Sequence, residues 1–245
     1  MKELIKINNL SSRLYLPNAA PKQIIIGVHG FFGDKESSVL VKLGETLIKH
    51  NMALLTFDLP CHGLNDTSKT LKLSDCIHAI NNVFAWVYKN YPNIPISIFA
   101  TSFGGYLTLL YLSQNEEKLN KIILRAPAIN MSHVLEDILL PFQSLTAEDL
   151  KISRNIGREQ ALLVDYSFVE ELRNHKLQNM QQTKHFLYIL QGTKDDIVDP
   201  VCNEIFFNKY YANNHKIIYF DNADHRFKKP GELEKIIDET LNILK

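Results

Sequence analysis

The chain has little that could staple it, anchor it or charge it. Only three cysteines occur in 245 residues, Cys61, Cys76 and Cys202. They are odd in number and far apart, which argues against a disulfide framework, and none sits at metal-ligand spacing. Charge of one sign is missing too: Lys plus Arg and Asp plus Glu number 27 each. A neutral chain offers no basic surface for nucleic acid and no electrostatic hold on a membrane. No apolar run is long enough to span a bilayer, and Met1–Leu10 contains no apolar core of signal-peptide length. Internal repeats and low-complexity segments are absent as well. The expectation is a soluble, cytoplasmic protein with neither a nucleic-acid nor a membrane partner; oligomeric state is not readable.

What is present is a hydrophobic content of 45%, enough for one sizeable core. The pattern is one of strands alternating with helices. Glu3–Asn8 and Arg13–Leu16 read as short strands around Asn8-Asn9. The β-branched run Ile24–Val28 fits a central strand covered on both faces. A helix follows through Val39, Leu40, Leu43, Leu47 and Ile48, then the strand Ala53–Asp58. A longer helix from about Ser74 to Lys89 carries the stripe Leu73, Ile77, Ile80, Phe84, Val87. Beyond it come a strand from Ile96, a helix ending near Asn115, and a short strand Lys121–Leu124. From Pro127 to about Gln182 the alternation lapses into helical fragments such as Val134–Leu140 and Ser167–Leu177, with no strand rhythm. That length exceeds an ordinary connection and suggests a cap inserted over one end of the sheet. His185–Gln191 resumes the strands. Asp199-Pro200 reads as a helix N-cap with proline at the first position. Lys216–Phe220 is the last strand and Pro230–Leu244 a closing amphipathic helix. The sum is a single α/β domain over 1–245, with a mostly parallel sheet, helices on both faces and a cap at about 127–182. Right-handed crossovers would gather the strand ends, and any active site, along one edge.

The most informative stretch is Ile96–Tyr106. An apolar run turns through Ser102 straight into a helical pattern, with Ala100 and Gly104 as small flanking residues. A serine pinned between strand end and helix start is the signature of a nucleophile elbow, with the hydroxyl exposed at the carboxyl end of the strand. The helix start also offers free N–H groups and a partial positive charge to an oxyanion. A serine hydroxyl needs a base, a carboxylate to orient that base, and oxyanion donors. Each is available at a strand end. An acid follows the His185–Gln191 strand at Asp195, with Asp196 adjacent as a rival. His225 follows the last strand. The glycines of His29-Gly30-Phe31-Phe32-Gly33 let that loop present the Phe31 N–H, and the Phe103 N–H directly follows the serine. His29 reads as ordering this loop, His62 as structural, and Asp224 as a solvated loop residue.

Taken together, His29–Gly33, Thr101-Ser102-Phe103-Gly104-Gly105, Gly192-Thr193-Lys194-Asp195 and Ala223-Asp224-His225 resemble the α/β-hydrolase superfamily over nearly the whole chain outside the cap. Phe57-Asp58 with Cys61-His62-Gly63 is similar to that superfamily's loop after the next strand. The closest likeness is to small bacterial esterases of the cinnamoyl/feruloyl-esterase and monoacylglycerol-lipase type. Two positions depart from the pattern: Ala100 replaces the first elbow glycine, and Cys61 stands where glycine is frequent. The resemblance implies the α/β-hydrolase fold and a Ser102, His225, Asp195 triad, Asp195 being preferred because it lies three residues after Gly192. It implies an acyl-enzyme mechanism on a small-molecule ester with no metal or organic cofactor. Phe31, Phe32 and Phe103 around the site, with Ile138-Leu139-Leu140-Pro141-Phe142 from the cap, suggest an apolar or aromatic acyl pocket in which Phe32, Leu139 and Phe142 touch substrate. Thioesterase, amidase or acyltransferase activity would use the same triad, and a non-catalytic small-molecule receptor or scaffold could retain it.

Overall fold

The computed structural model describes residues 1–65, 69–139, 150–155 and 159–245. The antiparallel start expected near the N-terminus is there: β1 (Lys2–Ile7) turns through the left-handed Asn8 and Asn9 into β2 (Leu10–Tyr15). β2 in turn lies antiparallel on β4 (Ala53–Phe57). All remaining pairings of this sheet are parallel, through β3 (Ile24–Val28), β5 (Ile96–Thr101), β6 (Leu119–Arg125), β9 (Leu187–Gly192) and β10 (His215–Phe220). The spatial order is β1-β2-β4-β3-β5-β6-β9-β10. The chain thus leaves β4 on one side of β3 and returns as β5 on the other. Crevices at such switch points, outside the carboxyl ends of the strands, are where open α/β sheets bind ligands.

Strand alternation sorts the core into two layers. Ile24, Ile26, Val28, Ile98 and Leu124 point to one face, where α2 (Leu73–Asn90), α3 (Phe103–Gln114) and α6 (Pro200–Tyr211) pack. Ile25, Phe99 and Ile123 point to the other, covered by α1 (Ser38–Leu47) and α7 (Glu232–Leu244). The central strands β3, β4 and β5 are buried at every residue, which is why they read as unbroken apolar runs. Helix α3 is buried from Phe103 to Leu112, as expected for a helix apolar all round. Asp199 caps α6 as anticipated, its carboxylate accepting from Val201 N.

The segment between β6 and β9 differs from the sequence expectation. A helix, α4, starts at Met131–His133 and continues with wider turns through Val134–Leu139. The segment also holds two strands that the sequence pattern did not announce, β7 (Leu150–Asn155) and β8 (Glu159–Val164), paired antiparallel with each other. Their residues, LKISRN and EQALLV, lack a sustained apolar alternation, and strand formation depends on partner and burial more than on intrinsic preference. Helix α5 (Tyr166–Asn174) is close to the expected fragment. Among the polar ties that dock this region, Glu171 accepts from Leu73 N at the start of α2, Tyr106 donates to His175 O, and Leu163 O of β8 accepts from Leu71 N at 2.8 Å. Leu139 ends the described part of α4; Leu140, Pro141 and Phe142 of the expected cap pocket lie outside the described residues.

Beneath the switch point lies a buried ion pair. Asp58 and Lys35 are 0% and 2% exposed, and their side chains meet at 2.8 Å. The Asp58 carboxylate also accepts from Lys35 N at 2.8 Å and Leu64 N at 2.9 Å. It therefore ties the loop after β3 to the loop after β4. Gly63 closes against it: a Cβ there would fall 2.2 Å from Asp58 Cγ. Breaking a buried pair leaves an uncompensated charge, so Asp58→Ala should destabilise the fold by about 3–5 kcal/mol in urea unfolding. Lys2→Ala, which breaks the exposed Lys2–Glu45 pair, should cost under about 1 kcal/mol in the same assay.

Candidate active site

Ser102 occupies the turn between β5 and α3 with φ 52° and ψ −115°. A non-glycine residue held there stores about 1–3 kcal/mol of backbone strain. The surroundings leave the chain no other path. Ser102 N donates to Arg125 O at 2.9 Å, while Ser102 O accepts from Tyr106 N and Ala128 N, each at 3.1 Å. Gly104 is pressed onto the end of β3, where a Cβ would meet His29 O at 2.5 Å and Val28 O at 2.7 Å. Ala100, the departure from the usual glycine, lies within β5 and is fully buried. Its small side chain is accommodated in the sheet.

His225 and Asp195 reach the serine from two loops that are laced together. Lys194 N donates to Ala223 O, Thr193 N to Phe220 O, and Asn222 N to Thr193 Oγ1. A Cβ on Gly192 would lie 2.4 Å from Ala223 O, so only glycine lets the two strand ends approach this closely. His225 Nδ1 then sits 3.0 and 2.9 Å from the two Asp195 oxygens, and Nε2 3.1 Å from Ser102 Oγ. Facing a carboxylate, Nδ1 carries the proton, which leaves the Nε2 lone pair for the serine hydroxyl. Asp195 is oriented by Gln191 Nε2 at 3.0 Å, Ile197 N at 3.0 Å and Val198 N at 2.8 Å. Gln191 is itself held by Asn203. Among the described residues, the rival Asp196 receives only the His225 backbone N–H, at 3.5 Å. Asp224 accepts from Arg226 N and Lys228 N and shapes the loop.

The His29–Gly33 loop lies directly against the serine: a Cβ on Gly30 would be 3.2 Å from Ser102 Cβ. His29 is buried and organises this loop. Its Nε2 accepts from Leu59 N at 2.9 Å, so Nδ1 carries the hydrogen and donates to Gly30 O at 2.8 Å. Burial lowers the His29 pKa, in keeping with a neutral structural ring. His62 is fully buried, bonded through Nδ1 to Pro60 O, and burial pulls its pKa down to about 3. Cys61 holds φ 62°, the left-handed region that favours glycine, which accounts for the glycine frequent at this position in the pattern.

An open cavity of about 690 Å³ extends from Ser102 and His225, with Phe31 and Phe32 in its wall. The Phe103 ring does not reach it; fully buried, it packs against Phe31, Tyr106 and Phe168. Leu139 and Phe142 are not placed against the cavity, since nothing of the Leu139 side chain or of Phe142 is among the described residues. Among the cavity residues that sequence reasoning missed are Thr101 and Arg125. A charged side chain terminating a buried strand was the available signal. No group of three or more His, Cys, Asp or Glu side chains suited to a metal occurs among the described residues. Nor is any described helix long and apolar enough to cross a membrane.

Because Gly104 has no room for a side chain, Gly104→Val should push β3 and α3 apart. Soluble yield or melting temperature should fall sharply, and the Ser102–His225 contact should be lost in any folded fraction, as read by structure determination or His imidazole NMR.

The same architecture recurs in solved structures. Est1E from Butyrivibrio proteoclasticus, with ferulic acid bound, superposes with a TM-score of 0.80 at 20% identity, covering 99% of this chain and 97% of that one. Mouse alpha/beta hydrolase domain-containing protein 10 gives 0.73 at 17% identity, with 100% of both chains covered. An alpha-beta serine hydrolase homologue from Coxiella burnetii gives 0.68 at 16%, covering 100% and 97%. At these identities the likeness is one of fold. No curated protein sequence matches the chain. Residues 19–188 match the family model described as serine aminopeptidase, S33, a stretch that includes Ser102 and the His29–Gly33 loop but stops before Asp195 and His225. The chain therefore belongs to the serine aminopeptidase S33 family of α/β-hydrolase serine hydrolases.

Proposed function

We propose that the protein hydrolyses carboxylic esters of small to medium apolar or aromatic acyl groups, with Ser102 as nucleophile, His225 as general base and acid, and Asp195 as the group that orients His225. The observation that carries this reading is the unbroken hydrogen-bonded line from Asp195 through His225 to Ser102 Oγ at the edge of the 690 Å³ cavity. In this mechanism His225 Nε2 accepts the Ser102 proton as Oγ attacks the acyl carbonyl. The oxyanion is received by the Phe31 and Phe103 amides, the latter at the N-terminus of α3, where Ser102 makes no side-chain capping bond. The imidazolium, stabilised by Asp195, protonates the leaving alcohol. Water deprotonated by the same ring then releases the acid and restores the serine.

Several features favour turnover over passive binding. A receptor needs neither a strained serine nor a carboxylate oriented by three further donors. The aromatic wall of Phe31 and Phe32 suits an apolar or aromatic acyl group, and the structural neighbour Est1E holds an aromatic acid. Such a cavity exceeds the lower end of ordinary small-ligand sites, about 300 Å³.

Purified protein assayed on p-nitrophenyl esters of increasing acyl length, with methyl hydroxycinnamates beside them, should show ester turnover. Ser102→Ala should lower kcat by about a thousandfold or more, and Asp195→Asn by about ten-thousandfold, with circular dichroism unchanged. Equal turnover in folded Ser102→Ala would remove Ser102 as nucleophile. Aminoacyl p-nitroanilides in the same plate test the amide chemistry in the family's name; faster cleavage of these than of esters would contradict the ester reading. Added alcohols, with product analysis, separate hydrolysis from acyl transfer.

A further inference from the structure

The Ser102 cavity has a polar side that the ester mechanism leaves unused. Thr101 and Arg125 stand in register across β5 and β6, so both side chains leave the same face of the sheet. It is the face covered by α1 and α7: the Arg125 guanidinium carbon lies 4.7 Å from the centroid of the Phe227 ring, which packs in that layer. Both residues line the cavity together with Ser102. Both are more than nine-tenths buried, with 8% of Thr101 and 6% of Arg125 exposed.

Neither side chain is satisfied. Thr101 Oγ1 and Arg125 Nε have no hydrogen-bond partner among the described residues. The one side-chain hydrogen bond Arg125 makes among them runs from Nη2 to His225 O at 3.2 Å, although a guanidinium has five N–H donors. The carboxylates that influence Arg125 are committed elsewhere, Asp195 to His225 and Asp224 to Lys228. Burial pulls the Arg125 pKa down to about 10, which still leaves it protonated at neutral pH. A tie to one carbonyl does not require a full charge, since a neutral amide would donate with a smaller desolvation cost. The start of α1 adds to the imbalance. Ser37 makes no side-chain capping bond, the first turn holds no acid, and Ser37 and Ser38 line the same cavity. Two carboxylates also stand in the lining, but Glu36 pairs with Arg13, and Asp34 Oδ1 accepts from Glu36 N.

Resting on Ser102 as the nucleophile, we propose that Arg125 and Thr101 form an anion subsite that selects esters carrying a carboxylate or phosphate close to the scissile bond. Arg125 belongs to the strand next to the nucleophile's own, about 4.8 Å away, and its carbonyl holds the Ser102 amide. The guanidinium fork would take the anion through two parallel N–H donors, and the Thr101 hydroxyl would add a third.

Two substrate pairs locate the anion. p-Nitrophenyl hemiglutarate against p-nitrophenyl pentanoate places it on the acyl half. 4-(Pentanoyloxy)benzoate against phenyl pentanoate places it on the alcohol half. In one pair kcat/KM should favour the anionic member, and Arg125→Gln should cut that preference about ten- to hundredfold. Thr101→Val should cut it severalfold and carries the test if Arg125→Gln fails to fold. Absence of an anion preference in both pairs overturns the subsite. So does an equal loss on both members in Arg125→Gln, which would make Arg125 a tie for the His225 loop alone. Calorimetry with glutarate and 4-hydroxybenzoate reads the subsite without turnover. Binding to the parent but not to Arg125→Gln, with Ser102 inert, would sink the esterase reading and leave the subsite standing.

Discussion

The left-handed backbone of Ser102 is the constraint on which the site depends. A serine at φ 52° and ψ −115° does not stay there by preference. It stays because β3 and β6 close on it from either side, through Gly104 against the His29 and Val28 carbonyls and through the Ser102–Arg125 backbone bond. The same clamp projects Oγ out of the sheet toward His225 and puts the α3 N-terminus behind it. Sheet stability and site geometry are therefore one property at this point. The strain is supplied by buried strands whose apolar packing greatly exceeds its cost.

Around that elbow the polar groups form concentric supports. Gln191 and the Ile197 and Val198 amides fix Asp195, and Asp195 fixes the His225 ring. On the opposite side, the buried Lys35–Asp58 pair and the neutral His29 ring fix the loop that lies over the serine. These networks are almost fully satisfied within the protein. Arg125 and Thr101 are the contrast. They are buried as deeply yet left with unused donors, and they line the cavity rather than the scaffold. Asn203 Oδ1 and His62 Nε2 also lack a partner among the described residues, but neither residue lines this cavity; unused donors together with a place in its wall mark the groups proposed to meet a ligand.

Much of this was legible in the sequence because the decisive residues sit where a strong apolar signal stops. Ser102 and His225 each follow a buried or half-buried strand by one to five residues, and Asp195 follows β9 by three. Strand and helix alternation gave the sheet class, since fully buried parallel strands produce unmistakable runs. The choice between Asp195 and Asp196 could rest only on likeness until the Lys194–Ala223 and Gly192–Ala223 contacts set the loop register. The β7–β8 pair escaped notice because its apolar alternation is too short to stand out, Leu150 and Ile152 in one strand and Leu162 and Val164 in the other. Arg125 escaped because the apolar run ends at Leu124, while the backbone ladder continues one residue further, to Thr101↔Arg125. Phe103 was expected beside the substrate; the helix turns its ring inward and leaves only its amide at the elbow.

The central claim is that Ser102 is a nucleophile activated by His225, and covalent capture tests it most directly. The protein would be treated with a fluorophosphonate and digested, and the adduct located by mass spectrometry, with His225→Ala in parallel. The account predicts a single stoichiometric adduct on the peptide containing Ser102, formed at least a hundredfold more slowly in His225→Ala. An unmodified Ser102 in the folded parent, or equal rates in both proteins, would contradict it.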